Sequence, residues 1–203
     1  TGNATYTATY NSTINSYNLT ISKASGPTAS IVYKNASGVE TTYSMGSTET
    51  SKILSVRYGS TIKITPSGNF ANISTSNYKI TGVTINGTTT SLSSSTQVTG
   101  TMPAQAATAS INTTTLYGLK VTTGSNGTTT ATYDGASFTV GTQYYALSGK
   151  SVVVTATPNS GYQPIIDGEA GTVNTVQTKT FTTTTSAKEI AVSYSLGAFT
   201  VTF

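Results

Sequence analysis

Eight asparagines stand two residues before a Ser or Thr, the spacing that makes an asparagine amide an acceptor for an N-linked glycan. They are Asn3, Asn11, Asn18, Asn35, Asn72, Asn86, Asn112 and Asn126. Ser and Thr supply roughly a third of the chain, so about five of its asparagines would meet this pattern by chance. The number is a mild excess, and position carries more information. Asn86 and Asn126 each precede a Gly, the dipeptide of a hairpin tip, where an acceptor is accessible. Asn18 alternates with Tyr17, Leu19 and Ile21 and so falls on the opposite, wetter face of its strand. No sequon follows Asn126, although Asn159 and Asn174 are available. Glycan addition requires export, so these sites predict an extracellular glycoprotein.

Catalytic chemistry finds little to work with. There is no His and no Cys, which removes the usual triads, thiolate mechanisms, disulfides and zinc sets. The carboxylates are Glu40, Glu49, Asp134, Asp167, Glu169 and Glu189. Only Asp167 and Glu169 are close, flanking Gly168, and they read as a solvated turn rather than a glycosidase pair or a calcium site. No P-loop or dinucleotide fingerprint occurs. We therefore expect no enzyme activity, no metal and no cofactor. Thirteen tyrosines without a Trp could form a carbohydrate platform, but most sit at alternating strand positions, in cores or between subunits. A Lys–Asn isopeptide crosslink is conceivable, and nothing local marks one.

The net charge of +4 is spread singly, without a basic run, which argues against nucleic-acid binding. Acid unfolds proteins mainly by protonating paired carboxylates and charging buried histidines. With six of the first and none of the second, the chain predicts an acid-tolerant protein from an acidic habitat. No stretch approaches 18 consecutive apolar residues, so no membrane span is expected. The chain opens at Thr1 without a charged-then-apolar leader, as expected of a mature form whose signal peptide has been removed.

The elements that must hold these residues are strands. Thr is β-branched, favours strands and tolerates solvent, so a chain with 35% hydrophobic residues can still form a β fold. Asn86-Gly87 and Asn126-Gly127 are the stronger turn signals, Asp134-Gly135 and Asp167-Gly168 the weaker. No window shows a capped helical period.

Two segments repeat one order of signals: an opening strand, a Gly-led strand ending in Pro, a Gly-aromatic pair, a closing strand. The first runs through Tyr17, Leu19 and Ile21, then Gly59 to Pro66, Gly68 and Phe70, closing at Ile111. The second runs through Leu116, Leu119 and Val121, then Gly149 to Pro158, Gly161 and Tyr162, closing at Tyr194. This is a diverged tandem repeat of about 80 to 100 residues. It predicts an all-β protein of two tandem Ig-like β-sandwich domains, residues 15–113 and 114–203, preceded by an N-terminal donor strand over 1–14. A single elongated sandwich is the alternative.

Residues 1–11, TGNATYTATYN, alternate strictly. Ala4, Tyr6, Ala8 and Tyr10 share one face; the threonines, with Asn3 and Asn11, share the other. The first repeat already has an opening strand, so this one is surplus. A strand that joins a neighbour's sheet would satisfy that sheet's backbone and fill its pockets with alternate side chains. The Ala/Tyr alternation sets the register, because a one-residue slip would point Thr inward. Such a head-to-tail contact does not close on itself and builds a filament. The missing sequons after Asn126 point to the second repeat as receiver. Residues 199–203, with Phe199, Val201 and Phe203 on one face, form a rival surplus strand, read first as an internal strand of the second sandwich.

This donor-like strand, TGNATYTATYN, ahead of a Thr-rich, Cys-free, glycosylatable β body resembles the thread filaments of thermoacidophilic archaea. That resemblance implies an extracellular, N-glycosylated subunit that polymerises with itself by donor-strand complementation and contacts other filaments or cell surfaces in adhesion. Thr101-Met102-Pro103-Ala104 and the Gly-strand-Pro units also resemble bacterial surface repeat modules, although the chain shows no anchor motif. Two classes follow: a structural filament subunit, or a monomeric adhesin or surface-layer module that binds glycans or partner cells.

Overall fold

The computed structural model describes Gly2, Thr5, Thr7 and residues 14–198. Every regular element among them is a strand. In chain order these are β1 (Ser16–Lys23), β2 (Thr28–Lys34), β3 (Glu40–Met45), β4 (Ser51–Arg57), β5 (Thr61–Ser67), β6 (Ile73–Ser74), β7 (Tyr78–Ile85), β8 (Thr88–Ser91), β9 (Val98–Thr101) and β10 (Ala107–Thr115). They continue as β11 (Tyr117–Thr123), β12 (Gly127–Tyr133), β13 (Ala136–Phe138), β14 (Tyr144–Ala146), β15 (Ser151–Pro158), β16 (Tyr162–Ile166), β17 (Glu169–Ala170), β18 (Gln177–Thr182) and β19 (Lys188–Leu196).

The chain divides into two compact units, Thr1–Gly68 with Thr81–Asn112, and Asn69–Ile80 with Thr113–Phe203. The division differs from the contiguous one read from the sequence, because Asn69–Ile80 belongs to the second unit although it lies within the first repeat. Each unit is an Ig-like β-sandwich. The first has one sheet in the order β4-β1-β10-β7-β8 and another in the order β3-β2-β5-β9. The second has β6-β14-β11-β19-β16-β17 and β13-β12-β15-β18. Apart from β6, the orders correspond strand for strand, so the tandem repeat is one topology built twice.

The correspondence extends to direction and register. In the first unit β1 runs parallel to β10, with Leu19 opposite Ala107 and Ile21 opposite Ala109. In the second, β11 runs parallel to β19, with Val121 opposite Ile190. The alternation that announced the strands is the packing pattern. On β15, Val152, Val154 and Ala156 are buried while Ser151 is exposed. The second core combines both sheets, Leu119, Val121, Ile190 and Val192 from one with Ala131, Tyr133, Val152 and Val154 from the other. Each fully buried Val or Ile contributes about 1.5–3 kcal/mol relative to an exposed one. Threonines line the outer faces, where hydroxyl pairs such as Thr84–Thr89 at 2.8 Å and Thr155–Thr178 at 3.1 Å link neighbouring strands.

Turn chemistry sorts itself against expectation. Asn86-Gly87 (φ 52 and 80), Asp134-Gly135 (49 and 86) and Asp167-Gly168 (53 and 81) each join two paired strands with both central residues left-handed, the type I′ signature. Asn126-Gly127 joins no hairpin. It carries the chain from β11 in one sheet to β12 in the other, and Gly127 is extended at the start of β12. Gly is needed there for space: a Cβ would overlap the Tyr194 ring, which packs directly on the backbone.

Candidate functional site

The residues expected to form a donor strand, Ala4, Tyr6, Ala8 and Tyr10, the sequons Asn3 and Asn11, and the segment 199–203 expected to form a rival strand lie outside the described residues. The remaining acceptor asparagines differ in setting. Asn18 is exposed on β1, and Asn86 and Asn126 are exposed with left-handed backbones (φ 52 and 73). Asn35 is half-buried and its Oδ1 accepts from the backbone N–H groups of Ser37 and Val39, closing the β2–β3 turn. Asn112 is half-buried and held twice: Oδ1 accepts from Ser110 Oγ at 2.8 Å and Nδ2 donates to Thr84 Oγ1 at 2.8 Å.

Asn72 is half-buried, and its Oδ1 accepts from Lys79 Nζ at 2.6 Å. An isopeptide bond would join this Nζ to Asn72 Cγ, the carbon that carries the accepting oxygen. The reaction needs a neutral lysine amine and a carboxylic acid to polarise the amide and pass protons. No carboxylate bonds either group among the described residues, so the contact is a charge-assisted hydrogen bond that fastens the 69–80 excursion.

Asp167 and Glu169 each meet a lysine: Lys188 Nζ lies 2.7 Å from Asp167 and Lys179 Nζ lies 2.8 Å from Glu169. These are surface ion pairs, worth about 0–1 kcal/mol each. Among the described residues no group of three His, Cys, Asp or Glu side chains gathers to hold a metal. An open depression of about 420 Å³ beside Ala29 and Met45 is lined otherwise by Ser, Thr and Gly. Another of about 240 Å³ beside Ile85 and Val98 is lined by Asn, Thr and Gly. Neither contains a titratable side chain. No helix of the described residues is long and apolar enough to cross a membrane.

Three titratable groups have environments that composition could not reveal. Lys23 is buried and donates to the carbonyls of Ala24 (3.3 Å) and Ser47 (3.2 Å). Burial lowers its pKa, opposed by nearby Glu49. The Tyr43 hydroxyl donates to Glu49 at 2.5 Å, and that bond is the main cause of its raised pKa. Tyr133 is pushed up to about 12, chiefly by burial and then by Asp134, against a lowering bond to the Leu147 carbonyl.

What the structure assembles is a set of sheet edges. Among the described residues β4 and β8 end one sheet of the first unit, and β3 and β9 end the other. In the second unit the ends are β6, β17, β13 and β18. The edge strands β8 and β18 are Thr-rich, with β8 exposed throughout. Short, polar edges are a common defence against indiscriminate pairing.

The edge at β14 is handled differently. The excursion delivers β6 to it, antiparallel, with Tyr145 opposite Ser74 and Ala146 opposite Ile73. The Leu147 N–H donates to the Asn72 carbonyl at 2.7 Å, extending the ladder. Ile73 packs against the second core. A two-residue strand from elsewhere in the chain thus completes a sheet and plugs its core. The sequence reading missed it, because Asn72-Ile73-Ser74 is too short to show a period; the Ile between two polar residues was its only trace.

Fold and edges together define a tandem β-sandwich protein whose exposed chemistry is backbone pairing and amide acceptors. No protein-family model and no curated protein matches the chain. Among solved structures it is similar to the major pilin T-13 of Streptococcus pyogenes, at 11% identity and a TM-score of 0.28, over 92% of this chain and 98% of that one. It is similar also to the major pilin T3.2 of the same species, at 11% identity and a TM-score of 0.25, over 90% and 98% of the two chains.

Proposed function

We propose that this protein is a structural subunit of an extracellular filament that polymerises head to tail, the N-terminal strand of one copy completing a sheet of the next. One observation carries this reading. Among the described residues both units are built on the same strand order, opened by β1 in the first and β11 in the second, and that order draws on no strand from residues 1–13. Their alternation of Ala and Tyr with Thr has the form of a strand with one face to bury. A donor of this kind supplies backbone bonds for affinity and side chains for register. The heterologous contact propagates, because the surface that gives and the surface that receives are different.

The polar, weakly charged body fits a structural role rather than an enzymatic one. The exposed sequons fit N-linked glycans along a surface-exposed thread, with adhesion as the consequence of many subunits in series. Removing residues 1–13 and imaging purified protein by electron microscopy tests the reading. Intact protein is expected to form filaments and the truncated protein only single particles. Filaments of normal length from the truncated protein would overturn the proposal.

A further inference from the structure

We infer that the receiving edge is β4 of the first unit, and that its occupant is residues 4–10 of a second copy of this chain. The inference rests on the donor-strand reading above and adds where the donor binds. The two units differ from each other at one edge. Of their edge positions, β8 and β17, β3 and β13, and β9 and β18 are open in both units among the described residues. Only one position differs. The outer edge of β14 is paired by β6, whereas no described strand pairs its counterpart β4.

The registers make the correspondence specific. Leu119 lies opposite Tyr144 as Leu19 lies opposite Leu54, so Tyr145 corresponds to Ser55 and Ala146 to Val56. In the ladder between β1 and β4 the Tyr58 N–H donates to Asn15 and the Lys23 N–H to Thr50. Antiparallel pairs bond alternately, so residues 52, 54 and 56 bond inward to β1. The backbones of Ser51, Ile53, Ser55 and Arg57 then face outward. Tyr145 likewise faces its outer partner, Ser74. Ile73, beside Ser74, reaches the core opposite Ala146. A donor on β4 in the same sense would pair a Thr with Ser55 and set its neighbouring Ala and Tyr side chains beside Leu54 and Val56, which are buried.

Length agrees. β4 is 7 residues long, and residues 4–10 are the same length of strict alternation. An antiparallel donor cannot come from the same copy. With Thr7 opposite Ser55 and the strand antiparallel to β4, as β6 is to β14, it would end with residue 10 opposite Lys52, while β1 begins at Ser16 opposite Arg57. Residues 11–15 would have to run back the ~20 Å length of β4 and cross its edge. A return of that kind takes about a dozen residues or more. A second copy meets no such limit. The first unit, not the second, is then the receiver, because the excursion has already filled the equivalent edge of the second.

Proline substitution at an outward N–H tests this in the full-length protein. Ser55→Pro removes an N–H that no described group uses and leaves the ladder to β1 intact, as edge prolines do. Thr180→Pro does the same on the open edge of β18, whose bonds to β15 use residues 177, 179 and 181. Ser55→Pro is expected to cut filament mass, by sedimentation and electron microscopy, at least tenfold, with Thr180→Pro near wild type. Hydrogen exchange of wild-type filaments against dissociated subunits gives a readout without mutation. The Ile53 and Ser55 amides are expected to slow on the order of 100-fold on assembly. Normal filaments from folded Ser55→Pro, or unprotected Ile53 and Ser55 amides in wild-type filaments, would overturn the β4 assignment while leaving the donor strand standing. If the chain lacking residues 1–13 polymerises, the donor-strand reading itself fails.

Discussion

Replacing Ile73 by Ala tests whether a short strand delivered from elsewhere in the chain stabilises a sandwich edge. Ile73 is half-buried, packs against the second core and lies opposite Ala146. Truncating a fully buried Ile to Ala costs about 2–5 kcal/mol. Ile73 is only partly buried, so the expected cost falls below that range, at about 1–2 kcal/mol. For a unit of about 100 residues, 1 kcal/mol moves the midpoint by roughly 4–8 °C. Thermal unfolding by calorimetry should therefore show the second unit's transition falling by roughly 5–10 °C, with the first unit's transition in place. The control is Ile53→Ala on β4, where the side chain is 59% exposed and the expected change is within about 0.5 kcal/mol. Hydrogen exchange adds a structural readout, because the Leu147 amide depends on Asn72 and should exchange faster in the variant. A shift no larger than that of Ile53→Ala, with Leu147 still protected, would refute the plug. The internal precedent for strand addition at β4 would go with it.

Further outcomes follow from single contacts. Tyr194→Phe removes a hydroxyl that donates to the Thr128 carbonyl at 2.6 Å and meets Thr129 Oγ1 at 2.9 Å; denaturant unfolding should show a loss of about 1–2 kcal/mol. Tyr133 keeps its proton to about 12 when folded and releases it near 10 when unfolded, so above pH 10 the unfolded chain binds fewer protons and stability falls as pH rises to 12. That part of the alkaline slope should vanish in Tyr133→Phe. At the other end of the scale, the four lysine–carboxylate pairs are on the surface and worth about 0–1 kcal/mol each, so the melting temperature at pH 2 should stay within about 10 °C of its value at pH 7. Collapse in acid would contradict the reading of the sparse carboxylates. Glycopeptide mapping of natively sourced protein should find Asn18 and Asn126 modified before Asn112, whose amide is held by Thr84; the reverse order would contradict the geometry.

Much of the fold was legible because its signals are local. Alternation of Val, Ile and Tyr with Thr and Ser announces a strand whatever lies beside it, and Asp134-Gly135 announces a type I′ turn because few residues accept its backbone angles. The recurrence of opening strand, Gly-led strand and closing strand was enough to reveal two copies of one design. Asn126-Gly127 shows where local reasoning stops, since the same dipeptide serves a crossover when the facing surface needs room for the Tyr194 ring. The burial of Lys23 was hidden for the same reason, as its carbonyl partner at Ser47 comes from a distant loop.

The sequence by itself determined the chemistry on offer: acceptor amides, β-strands, an alternating N-terminal segment, and no histidine or cysteine for catalysis. Tertiary structure alone decided which edge is filled. Alternation says which side chains face a core but not which strand lies next to which, because any open backbone edge presents the same N–H and C=O groups. Pairing is settled by chain closure and by the fit of side chains against a core. That is why Asn69–Ile80 leaves its own repeat to complete the second unit, and why, among the described residues, the edge beside β4 is open where that beside β14 is filled.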